Sequence, residues 1–178
     1  EDDDIDKNDL FQPIIDFPNF LLIVLKITRM DEPAFKPTDF ILDDKALLTE
    51  FNKIDITPEF VKKYAFNLLK AKYLLDNYII HHSIENDKVG ENPWKLQYWF
   101  KEGQATYPKD LFQDSTMQQE MVHLQSMVEV AFTAKQRKNY LFYTLLHLFN
   151  NNEENNYFQF VRSLADKYFY DVYLDPNK

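Results

Sequence analysis

The stretch TPEFVKKYAFNLLKAKYLLDNYIIHH, from Thr57 to His82, carries the longest unbroken helical pattern in the chain and limits the folds open to it. Thr57 is placed to cap the first turn through its hydroxyl. Pro58 brings the φ that a first helical position wants, and Glu59 lies where the helix dipole favours an anion. About 26 residues at ~1.5 Å each give a rod of roughly 39 Å, long enough to cross a small domain. Val61, Ala65, Leu68, Leu75 and Ile79 form one apolar stripe, while Phe66, Tyr73 and Ile80 recur on what should be the wet side. A helix apolar on two sides is usually a central one. The expected fold is therefore mainly α: an antiparallel helical bundle of about six helices around this long central helix, with one small strand or hairpin element.

The flanking segments supply the other helices. Asp16 or Asn19 caps one that runs to about Arg29, with Phe20, Leu21, Val24, Leu25 and Ile27 inward. Asp43 and Asp44 open a short helix through Ile54, and Asp114 or Ser115 opens one carrying Met117, Met121, Leu124, Val128 and Ala131. Thr133 caps the next, to Asn150. An asparagine of the linker NNNEENN at 150–156 caps the last, whose inward residues are Tyr157, Val161, Leu164, Ala165 and Tyr168. After a polar loop holding Asn86, Asp87, Gly90, Asn92 and Pro93, the alternation of Trp94, Leu96, Tyr98 and Phe100 with polar residues is the period of a half-buried strand. Glu102-Gly103 turns it towards Ala105 to Tyr107. Residues 1–15 read as an acidic, flexible leader, and 16–178 as a single helical domain, expected to be a fragment of a larger protein since the chain opens on Glu1.

Composition excludes several function classes. Two glycines against 16 Phe and 11 Tyr argue against a turn-rich all-β fold and against a glycine-lined phosphate loop. Without cysteine there is no disulfide framework and no thiolate metal site, and a reducing cytoplasm is the simple reading. The most apolar run, Phe20 to Leu25, stops at Lys26, far short of the ~20 residues that span a bilayer, so no membrane partner is expected. A net charge of −9 opposes unassisted, non-specific binding to nucleic acid, although a local basic patch can act within a larger assembly.

The polar residues point to no reaction. His81-His82 near a helix end are adjacent, so their side chains diverge by about 100°, and the dipole already explains cations there. His123 and His147 belong to different helices, with Glu120 and Glu129 able to join either; ordinary solvated or core histidines are the commoner arrangement. Asp43-Asp44 and Glu153-Glu154 fall at helix starts, where capping explains them. No cofactor is expected in this chain. The sharpest oddity is Lys135-Gln136-Arg137-Lys138, cations opening a helix whose dipole disfavours them. With Asn139, Tyr140 and Tyr143 following, Lys135, Arg137, Lys138 and Tyr140 form a candidate nucleic-acid contact, phosphates on the cations and a base or sugar on the ring. The plainer reading has surface cations held by Glu129 or Asp114.

FPNFLLIVLKI at 17–27, LDDKALLTEF at 42–51, FVKKYAFNLLKAKYLLDNYII at 60–80, WKL at 94–96 and LQSMVEVAFTAKQRKNYLFYTLL at 124–146 resemble the helical region of GmrSD-type proteins. These are bacterial modification-dependent (type IV) restriction and anti-phage systems, with a ParB-like DGQQR-motif domain thought to use nucleotide, a helical region and an HNH-type nuclease domain. The chain contains neither a DGQQR motif nor an HNH-type cluster after Tyr170, so no catalytic residue carries over. The resemblance implies a non-catalytic scaffold or linker domain whose partners are the adjoining nucleotide-using and nuclease domains, with DNA contacts at the 135–138 corner. The alternative is a free-standing helical module that binds another protein through an aromatic groove, unrelated to nucleic acid.

Overall fold

The computed structural model describes residues 11–83, 94–151 and 153–175. In chain order these form β1 (Phe11–Pro13), α1 (Phe17–Arg29), a 3-10 turn (Asp44–Ala46), α2 (Leu47–Phe51) and α3 (Pro58–Tyr78). Then come β2 (His81–Ser83), β3 (Trp94–Lys95), β4 (Gln97–Glu102), β5 (Ala105–Asp110), α4 (Ser115–Ala131), α5 (Ala134–Asn150), α6 (Glu154–Phe169) and a closing π turn (Tyr170–Leu174). The chain is mainly helical, as expected, but it carries two small antiparallel strand groups rather than one, ordered β1-β2-β3 and β4-β5. It divides into two compact units: a first from Ile15–Leu75 and Phe132–Asn151, and a second from the remaining described residues. The polar loop expected around Gly90 lies outside the described residues.

In the first unit the enclosed helix is α1. Asp16 accepts the Asn19 amide at 2.9 Å and Pro18 sits in the first turn. From Leu22 to Thr28 every residue is buried, as a helix apolar all round must be. Leu22, Leu25 and Phe40 form a core packed by Phe35, Leu42, Leu47, Phe51, Ile54, Phe60 and Tyr64. The central place predicted for the long helix is thus not the one α3 takes: its buried residues are Ala71, Leu74 and Leu75, and Val61 and Ala65, placed inward by periodicity, are exposed. The stripe through Phe60, Tyr64 and Asn67 faces in instead. The Tyr64 hydroxyl donates to the Leu21 carbonyl (3.2 Å), and the Asn67 amide donates to the Thr28 hydroxyl (3.0 Å), which itself donates to the Val24 carbonyl (2.8 Å). Phe60 stacks on Tyr64, and Phe51 meets the same ring edge-on. Burial pushes the Tyr64 hydroxyl up to about 12. Lys70 donates to the carbonyl of Phe149 (2.9 Å) in the last turn of α5, where a cation suits the dipole.

The second unit is organised by two glutamines one heptad apart on α4. Asp114 caps that helix, accepting the amides of Thr116 (2.8 Å) and Met117 (2.9 Å). Gln118 accepts from the Phe112 amide (3.1 Å) and donates to the Leu96 carbonyl (2.7 Å). Gln125 accepts from the Ile80 amide (3.1 Å) and donates to the Tyr78 carbonyl and the Tyr157 hydroxyl, each at 3.1 Å. Tyr157 also donates to the Tyr78 carbonyl at 2.6 Å. Buried polar groups demand partners: Gln125 satisfies the backbone on both sides of the break between α3 and β2, and Gln118 joins the break between β3 and β4 to that between β5 and α4. Around them pack Met121, Val128, Tyr157, Phe158, Val161 and Ala165. The linker asparagine expected to cap α6 does not do so; Glu153 holds the N-cap position without a side-chain cap bond. Between β4 and β5 the link is Gly103-Gln104. Gly103 has φ +60° and, among the described residues, no other has positive φ, the signs of a type II′ hairpin turn.

Two sequence expectations fail at the ends of this unit. Phe11–Pro13, assigned to the leader, is strand β1, and His81-His82, assigned to the long helix, lies in β2: Gln12 pairs with His82, Pro13 with His81, and β3 closes the other side. The Gln125 bonds at Tyr78 and Ile80 replace the helical partners α3 would have needed to continue. His82 stands edge-on to Trp94 (5.4 Å). Burial lowers the His81 imidazole to about 4, with Asp76 opposing in part. Because the folded state holds this ring neutral, the unfolded chain binds the extra proton between pH ~6.5 and the folded value; stability from this group is complete above ~6.5 and lost as pH falls through about 4. Discounted for partial exposure, the loss is roughly 1 kcal/mol. Urea midpoints at pH 7 and pH 4 should differ less for His81→Gln than for the natural chain, and equal shifts would remove His81 from the acid response.

Candidate nucleic-acid interface

The four residues singled out by sequence open α5 in the first unit. The helix start is built locally: Thr133 and Gln136 form a reciprocal capping box, the Gln136 side chain accepting the Thr133 amide (2.9 Å) and the Thr133 hydroxyl accepting the Gln136 amide (3.4 Å). Lys135 projects into solvent, and Arg137 and Lys138 are half-buried. Two carboxylates from other elements feel the charge of Lys138. Burial pushes the Asp16 carboxyl up, but the hydrogen bonds from Asn19 and then the Lys138 charge outweigh it and hold it below its ordinary value. Asp43 is lowered first by the Lys45 amide, then by Asp44, with Lys138 adding its charge. Lys138 thus sits in the field of two carboxylates that cap α1 and the 3-10 turn.

Tyr140 does not present a stacking face. It is 6% exposed, packed edge-on to Phe132 (6.2 Å), and burial pushes its hydroxyl up. The Thr144 hydroxyl one turn on eases that shift, although neither hydroxyl makes a hydrogen bond of good geometry among the described residues. The exposed ring near the corner is Tyr143, beside buried Phe142. What the corner can offer an anion is its three cations, Lys135, Arg137 and Lys138, with the exposed Tyr143 further along the helix.

Sequence reasoning passed over Lys26, which it read as the end of an apolar run. The side chain is 6% exposed and its amine lies 4.3 Å from the centre of the Phe142 ring and 5.9 Å from that of Phe40. Its signal was spacing, since it falls one turn after Leu22 on the enclosed helix. Among the described residues no group of three or more His, Asp or Glu is placed to hold a metal ion, and no helix is long and apolar enough to cross a membrane. His123 and His147 fall in different units. No family model matches the chain, and neither does any curated protein or solved structure.

Proposed function

We propose that this chain is a non-catalytic helical scaffold domain of a GmrSD-like, modification-dependent DNA restriction protein, acting in the cytoplasm to join and orient nucleotide-using and nuclease parts. One observation supports the scaffold reading above others: in the second unit the buried side chains of Gln118 and Gln125 are spent on backbone groups at breaks between elements rather than presented to a ligand. Any DNA contact falls to the cations Lys135, Arg137 and Lys138, because the Tyr140 ring is enclosed.

DNA binding at low salt tests this contact. Lys135→Ala with Arg137→Ala should weaken binding uniformly across sequences and reduce the salt slope by about 1 for every phosphate no longer neutralised, whereas Tyr140→Phe should leave it unchanged. If the natural chain shifts no DNA, or the pair of substitutions leaves the slope alone, the contact is to be abandoned. The second reading, a module that docks another protein, is favoured by the exposed row Phe66, Leu69 and Tyr73 on α3.

A further inference from the structure

We draw no further inference here: the strongest candidate, the exposed apolar row of Phe66, Leu69 and Tyr73 on the outward face of α3, carries nothing because nothing in the structure shows what covers it.

Discussion

Gln125→Leu should lower the stability of the second unit by about 2–4 kcal/mol, far more than its conserved volume suggests. Leucine fills the space but accepts nothing. The Ile80 amide, in a residue 2% exposed, is left buried without its partner, at about 1–3 kcal/mol. The bonds to the Tyr78 carbonyl and the Tyr157 hydroxyl add about 1 kcal/mol between them, since Tyr157 still donates to Tyr78 at 2.6 Å. The expected structural result is fraying where α3 gives way to β2. Trp94 and Trp99, the two tryptophans of the chain, both lie in this unit, so fluorescence during urea unfolding reports it selectively. A loss below about 1 kcal/mol, the worth of a single ordinary bond, would mean that Gln125 is a passenger rather than the joint between α3, β2 and α6.

What the sequence disclosed and what it concealed divide along the range of the deciding contacts. Asp16, Asp114 and Thr133 were readable as caps because each satisfies amides within the next turn. The hairpin at Gly103 was readable for the same reason. The face of α3 was not: its two stripes are similar in apolar content, and the choice rests on Tyr64 and Asn67 finding partners on α1. His81-His82 looked helical because their strand partners come from either side, at Pro13 and Lys95, and because the stop is imposed by Gln125. At the candidate interface the cations themselves were evident. The field that Lys138 exerts on Asp16 and Asp43, and the enclosure of Tyr140 against Phe132, depend on segments beyond the helix start itself. Gln118 and Gln125 drew no reading from the sequence, because a polar residue on an inward face is meaningful only once the backbone it serves is in place.

Lys26→Met should stabilise the first unit, by roughly 1–3 kcal/mol. The natural side chain takes an ammonium into the interior around α1, and no ion pair to it exists among the described residues. The Phe142 ring at 4.3 Å returns part of that cost, about 1–2 kcal/mol for a desolvated cation over an aromatic face. Methionine keeps the unbranched stem and its packing while removing the charge. The pH dependence separates this from simple repacking. Burial lowers the Lys26 amine below its ordinary range, so in the window below ~10.4 the unfolded chain binds the proton that the folded chain gives up, and stability rises as pH climbs through it. Tyr64 acts in the opposite sense at higher pH: with its hydroxyl raised to about 12, its contribution is intact below ~10 and lost above. The natural chain should therefore gain stability as pH rises towards ~10 and lose it beyond, whereas Lys26→Met lacks the rise and keeps the fall. Hydrogen exchange at the amides of Leu22 to Thr28 reads this helix directly. Parallel pH profiles in the two proteins would show that Lys26 is no more burdened by its charge than a surface lysine, and that Phe142 holds it at no net cost.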